Sequence, residues 1–330
     1  MSDQGLRSHR FRREREADWR RLETILARAE RQSPQALSRE DILAAPVLYR
    51  ATLSALSVAR STSLDRGLIE YLETLSARAY FFVYGARTSV RERLVQFFRH
   101  DWPQAVRGIG RETLVAAILT LAGALAAAAL TVADPDWFFS LIPAELAGGR
   151  DPTASTESLR ATLYERPQEG GLSAFATALF THNSQVALGA FALGFAFGLP
   201  TVALLLYNGA ALGAFLALFT SRGLGFEATG WLLIHGVTEL FAIVLAGAAG
   251  LHVGWAMAFP GERTRMDALT AAGRTAGLAM AGVVVMLFLA GLLEGFGRQL
   301  IQVDLARYGV AAVTAVLWGV YFYAPRRGRP

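Results

Sequence analysis

The chain has no cysteine, which excludes disulfides, thiolate metal knuckles and thiol nucleophiles together. It has no lysine either: all 32 basic residues are arginine, a composition bias that identifies no partner. Charged residues make up only 18% of the chain and are unevenly spread. Residues 1–112 hold 20 of the 32 basic and 14 of the 27 acidic side chains, which leaves 12 and 13 for residues 113–330. A water-soluble domain cannot hide that much uncharged surface, so the C-terminal two-thirds belongs in a bilayer. A soluble enzyme is thereby excluded. The Arg-rich start has no apolar stretch of the kind a cleavable signal peptide needs, so the first downstream span is expected to direct insertion.

Long apolar runs dominate what remains. Residues 113–133 contain 21 positions without a charge, enough to cover a hydrocarbon core of about 30 Å. Residues 170–221 form a charge-free stretch of 52, about 78 Å if wholly helical. It divides into an interfacial segment near 172–183, a span at 186–206 and a shorter span at 209–221. The turn-like tripeptide Tyr207-Asn208-Gly209 marks the break, and the short second piece crosses fully or re-enters. Further spans follow at about 230–250, 275–294 and 308–324. The expected fold is all-α: a polytopic bundle of about six spans behind a helical cytoplasmic domain, residues 1–112.

Arginine placement sets orientation. Arg107 and Arg111 precede the first span, Arg263, Arg265 and Arg274 lie between the fourth and fifth, and Arg326, Arg327 and Arg329 follow the last. The loop 134–185 carries three basic and seven acidic residues. Six spans place the Arg-bearing segments and both termini in the cytoplasm of a bacterial inner membrane, with the acidic loop outside.

Within the N-terminal domain, Trp19, Leu22, Ile25, Leu26 and Ala29 recur at helical spacing, as do Leu68, Tyr71, Leu72, Leu75, Ala79 and Phe82. Ser38 ahead of Asp41 reads as a helix cap. A small helical bundle is expected. Its arginines are interleaved with acids and carry no recognition motif, so nucleic acid is not an expected partner.

Chemistry has few places to reside. His235 and Glu239 lie four apart inside an apolar run and therefore share one helical face. An ionisable group costs about 2.5–3.5 kcal/mol at the centre of a span, so it faces the bundle and has a partner there. The topology adds His182, Asn183 and Glu294 to the same outer leaflet, and Asn208 to the break between spans. This set supports a polar cluster that fixes the bundle, a proton or substrate path, or a catalytic or metal centre. His-x₃-Glu supplies only two ligands where zinc wants three or four. No zincin, nucleophile-elbow or phosphate-loop pattern is present, so no metal, cofactor or catalytic residue is assigned.

Glycine is patterned. Gly194/Gly198, Gly209/Gly213, Gly250/Gly254, Gly273/Gly277 and Gly291/Gly295 all have the spacing that lets helix backbones approach. They point to a tightly packed bundle or a homo-oligomer. Pro200 is expected to kink the second span.

Taken in order, these residues resemble the stage II sporulation protein M family of multi-pass membrane proteins. The resemblance begins with Trp19-x-x-Leu22, Leu48-Tyr49-Arg50, Tyr71-Leu72-x-x-Leu75 and Arg78-Ala79. It continues through His182-Asn183-x-x-Val186-Ala187 and Asn208-Gly209-x-x-Leu212-Gly213. It is densest at His235-Gly236-x-x-Glu239-Leu240-x-Ala242-Ile243, and closes with Pro260-Gly261, Gly273-Arg274 and Glu294-Gly295-Phe296. Ile234 stands where the pattern has proline, and Tyr80 where it has histidine. The resemblance implies a scaffold-like role. The family's namesake works with peptidoglycan-degrading partners during engulfment, and many relatives belong with AAA+ ATPase and von Willebrand-type neighbours. A cell-wall hydrolase or an ATPase-associated protein is therefore the implied partner, alongside membrane lipids. The sporulation role itself is not carried over. The expectation is a non-enzymatic membrane scaffold; the alternatives are a transporter using His235 and Glu239, and then an intramembrane metal-dependent enzyme.

Overall fold

The computed structural model describes residues 3–32, 37–62, 65–84, 90–164, 171–297 and 301–324. The tail arginines Arg326, Arg327 and Arg329 lie outside them. Among the described residues all regular structure is helical, as the apolar periodicity predicts. The chain divides into two compact units, residues 1–90 and 91–330.

The first unit contains α1 (Asp3–Gln32), α2 (Arg39–Ser61) and α3 (Arg66–Tyr84). Trp19, Leu22, Ile25 and Leu26 of α1 interleave with Leu48, Tyr49 and Leu56 of α2 and with Leu68, Leu72 and Leu75 of α3 in one buried core. The Ser38 hydroxyl accepts from the Asp41 N–H at 3.1 Å and starts α2, satisfying a donor that the first helical turn leaves open. Arg21–Glu40, Arg28–Asp41 and Arg60–Glu73 pair at 2.6–3.2 Å across the helices. These pairs are largely exposed and contribute little beyond register. Ile42, Leu43 and Val47 of α2 and Tyr80, Phe81 and Tyr84 of α3 remain exposed.

The second unit starts at 91 rather than 113. Residues 91–112 are rich in arginine, which hides their apolar content, yet they pack into the bundle. Helix α4 (Val90–Gln96) runs through a π-helical turn, Phe97–Asp101, into α5 (Trp102–Gly108). Trp102 is buried among Trp318, Tyr321 and Phe322 and lies directly against Gly282. The Arg107 guanidinium donates to the Phe322 carbonyl at 2.8 Å.

The bundle proper is α6 (Gly110–Ala133), α10 (Gly171–Ala192), α11 (Leu199–Ser221), α12 (Gly225–Ala258), α13 (Arg265–Leu292) and α14 (Asp304–Tyr323). Short helices α7 (Trp137–Leu141), α8 (Ala144–Ala147) and α9 (Thr156–Tyr164) occupy the loop after α6. Among the described residues six helices are long and apolar enough to cross a membrane: Arg39–Ser61, Gly110–Ala133, Leu199–Ser221, Gly225–Ala258, Arg265–Gly295 and Asp304–Tyr323. The count matches expectation and the membership does not. Helix α2 meets that length and composition while packing in the core of the first unit, and α10 runs unbroken from Gly171 to Ala192.

The break in the 170–221 stretch also falls elsewhere. No turn occurs at Tyr207-Asn208-Gly209; the chain stays helical from Leu199 to Ser221, about 34 Å and long enough to cross. Residues 172–183 are likewise not a separate interfacial piece but part of α10. The turn comes at 193–198, where Phe197 and Gly198 have φ of 57° and 77°, the left-handed backbone that reverses a chain. Pro200 follows in the first turn of α11, where its missing N–H is not needed, so it starts a helix and does not kink one. Gly209 serves close packing and not a turn.

Helix α12 is the central element. Its 34 residues extend about 51 Å, and it packs on α6, α10, α11, α13 and α14. At one end of the unit, Phe138, Leu159 and Leu163 from the α7–α9 loop share a core with Leu218, Leu224 and Trp231. The turn between α11 and α12 and the start of α14 lie at this same end, for Arg222 donates to the Pro152 carbonyl and Arg307 to the Leu163 carbonyl. The α10–α11 turn and the C-terminal half of α12 meet at the opposite end.

Candidate functional site

His235 lies about 15 Å along α12 from Gly225, and Glu239 one turn further. The third member comes from a different element. Helix α13 widens at its end into a π-helical turn, Leu293–Gly297, which carries Glu294 and swings it toward α12; such turns re-aim single side chains. His235 Nε2 lies 3.9 Å from a Glu239 carboxylate oxygen and 3.6 Å from one of Glu294. One ligand-type atom from each of the three residues falls within 4.8 Å of the others. The side chains are 5%, 15% and 6% exposed for His235, Glu239 and Glu294, so the cluster is removed from solvent.

Its roof is aromatic and basic. The Trp231 ring stands edge-on to His235 at 6.2 Å and stacks on Phe215. The Arg150 guanidinium lies over Phe215 at 5.6 Å, held by the Ala147 and Leu146 carbonyls at 3.0 and 3.3 Å. Burial pulls the Arg150 guanidinium below its ordinary range, and the Glu294 carboxylate opposes that shift. One residue before Glu239, Thr238 is buried and accepts from the Trp318 indole N–H at 3.0 Å, fixing the face of α12 toward α14.

Toward the other end of α12 the bundle closes by backbone contact. A Cβ at Gly194 would fall closer than 3.0 Å to the backbone of Gly250, and one at Gly254 would collide with the backbone of Gly198 and Gly194. Gly250 lies against the Ala190 carbonyl, and the Leu205 side chain fills the space over Gly247. Thr201 donates to that same Ala190 carbonyl at 2.8 Å. The α6–α11 seam is built alike: Gly209 abuts the Thr120 carbonyl, Gly213 that of Ala124, and Gly123 that of Leu206.

The polar residues singled out in the sequence thus separate. His235, Glu239 and Glu294 come together. Among the described residues the cluster of potential ligands does not include His182, which with Asn183 is half-buried on α10. Asn208 is half-buried within α11. Of the glycine pairs, Gly194/Gly198, Gly209/Gly213 and Gly250/Gly254 stand at close backbone approaches, although Gly194 and Gly198 flank a turn and do not share a helix. Gly273 and Gly277 face open space. Gly291 is on α13 and Gly295 in the π-helical turn.

Two polar contacts have no counterpart in the sequence reading. His252 Nδ1 meets a Glu112 carboxylate oxygen at 2.8 Å, joining α12 to α6 across 140 positions of chain. Arg307 is fully buried and donates to the carbonyls of Ile301 and Leu163 and to Asp304. The Asp304–Arg307 spacing, three apart at the head of an apolar run, was its only local signal.

Comparison with known families agrees with the sequence resemblance over the bundle. Residues 9–85 match Domain of unknown function (DUF8413), so the segment from Trp19 to Ala79 falls under that second family. No curated protein and no solved structure gives a match. The model of Stage II sporulation protein M matches residues 111–297, more than half of the chain and all three members of the buried cluster, and the chain belongs to that family.

Proposed function

We propose that the chain is a non-enzymatic scaffold or assembly protein of the bacterial inner membrane. On this reading unit 2 forms the membrane anchor and helices α1–α3 form a cytoplasmic docking module. The observation that carries the reading is the closure of the α12 seam beyond Glu239. A proton or substrate path needs a continuous polar or hydrated route across the bundle. The face that begins with His235 and Glu239 continues into backbone-to-backbone packing at Gly194, Gly250 and Gly254, which supports a static bundle. The exposed apolar residues of α2 and α3 supply a docking face on the first unit, and cell-wall hydrolases or ATPase-associated proteins are the partners the family suggests.

Orientation follows from charge. Arg107, Arg111, Arg263 and Arg265 flank one end of the long helices, while the loop holding α7–α9 is acidic. The positive-inside rule then sets both termini in the cytoplasm. Because the chain has no cysteine, Ser158→Cys and Ser61→Cys, both at exposed positions, read this directly. In intact cells an impermeant maleimide is expected to label position 158 and to spare position 61; the reverse pattern refutes the orientation.

The scaffold reading is tested by affinity purification from native membranes in mild detergent, with mass spectrometry of what accompanies the protein. One partner recovered near stoichiometry is the expected result. A homo-oligomer without a partner, together with a substrate flux in proteoliposomes that Glu239→Gln abolishes, would replace scaffolding with transport.

A further inference from the structure

We propose that His235, Glu239 and Glu294 bind a divalent first-row transition-metal ion that fastens α12 to the π-helical end of α13. The proposal goes beyond scaffolding and does not depend on it.

Spacing and charge both lead there. A histidine and a carboxylate in a direct charge-assisted hydrogen bond close to about 2.7–2.9 Å. The same two residue types do so elsewhere on α12, where His252 and Glu112 meet at 2.8 Å. His235 stands off from its two carboxylates, at 3.9 and 3.6 Å, although all three side chains are packed in a closed site. Ligand atoms bonded to one ion at 2.0–2.2 Å in tetrahedral geometry are separated by about 3.3–3.6 Å. The observed set, within 4.8 Å overall, reaches that separation when its more distant atoms approach by about 1–1.5 Å. Two neighbouring carboxylates out of water also favour a cation between them. A divalent ion neutralises the carboxylate pair and accepts the neutral imidazole as third ligand.

The ligand types narrow the ion. One imidazole nitrogen and two carboxylates, without thiolate, suit Zn²⁺, Mn²⁺ or Fe²⁺. Two ligands from adjacent turns of α12 and one from the end of α13 leave a coordination position for water. Removal of the ion would release the π-helical turn from α12.

The test uses the full-length chain in detergent, stripped with chelator, incubated with Zn²⁺ or Mn²⁺ and desalted. Elemental analysis is expected to find about one ion per chain, with a thermal midpoint that rises with metal concentration. His235→Asn and Glu294→Gln are expected to lose retention at least ~10-fold, while His252→Gln, at the hydrogen-bonded pair, retains it. Wild-type protein that holds no ion after desalting overturns the proposal, as does wild-type retention by either cluster variant. Should those variants fail to fold, X-ray absorption of the wild-type complex decides. A single imidazole in the first shell supports the site, and two or more, drawn from histidines such as His9 and His100, overturn it.

Discussion

Gly209→Ala and Gly213→Ala are each expected to destabilise the bundle by about 3 kcal/mol, the upper end for overpacking. By contrast Gly273→Ala and Gly277→Ala, with the same spacing on α13, are expected to be neutral or to stabilise by up to ~1 kcal/mol. The difference lies in what a methyl group would meet. At Gly209 and Gly213 it falls closer than 3.0 Å to the carbonyl groups of Thr120 and Ala124. These are backbone atoms of α6 and cannot rotate away as a side chain can. Relief requires α6 and α11 to move apart along their whole contact, which forfeits the dispersion energy that holds helices together in lipid, where no hydrophobic drive favours association. Gly273 and Gly277 have no atom within 4 Å of a built Cβ, so alanine there gains helix propensity alone. Unfolding midpoints of the four variants, by heat or by dodecyl sulfate titration in mixed micelles, separate the cases. Equal behaviour in both pairs would mean that the α6–α11 approach is not what the glycines serve.

That contrast marks what a sequence can convey about this fold. Long uncharged runs announce their helices because lipid leaves the backbone no other way to satisfy itself. The buried stripe of α1 and the Ser38 cap are equally local and equally legible. Even the pairing of His235 with Glu239 follows from one turn of one helix. What failed was each feature decided by a neighbour. Gly209 reads as a turn until the Thr120 carbonyl is seen beside it, and Pro200 reads as a kink until the reversal at Phe197-Gly198 puts it in a first turn. Trp102 lies in an arginine-rich segment whose composition hides that it plugs the bundle against Gly282. Counting spans groups Glu294 with His235, yet its approach to His235 depends on one widened turn that no spacing rule forecasts. His252 and Glu112 find each other over a separation at which a single sequence carries no pairing signal.

Replacement of Arg307 should have an effect as large as the α6–α11 substitutions, for a different reason. Arg307→Met is expected to cost about 3–5 kcal/mol, the range for removing one partner of a buried ionic network. The guanidinium is fully buried at the head of α14. Its Nε donates to the Ile301 carbonyl at 2.9 Å, one terminal nitrogen to Asp304 at 3.1 Å and the other to the Leu163 carbonyl at 3.0 Å. The Tyr164 ring lies beneath it at 5.0 Å, and the Tyr164 hydroxyl donates to the second Asp304 oxygen at 2.9 Å. Burial and that bond push the Tyr164 hydroxyl up to about 12, so it remains a donor throughout the neutral range. Methionine matches the volume of the stem but leaves a carboxylate and two carbonyls without their donor, each a desolvation cost with no compensation. Arg307→Lys should recover little of the loss, because one ammonium cannot reach three acceptors arrayed around a planar fork. Tyr164→Phe removes one hydrogen bond and should cost about 1 kcal/mol. Since Arg307 joins α14 to α9, its loss should also free the loop that carries α7–α9. Trypsin cleavage at Arg160 of the detergent-solubilised protein is expected to accelerate in Arg307→Met and to change little in Tyr164→Phe. If Arg307→Met kept both the unfolding midpoint and the cleavage rate of the wild type, the buried network would be an ornament of packing and not the clasp that holds the loop to the bundle.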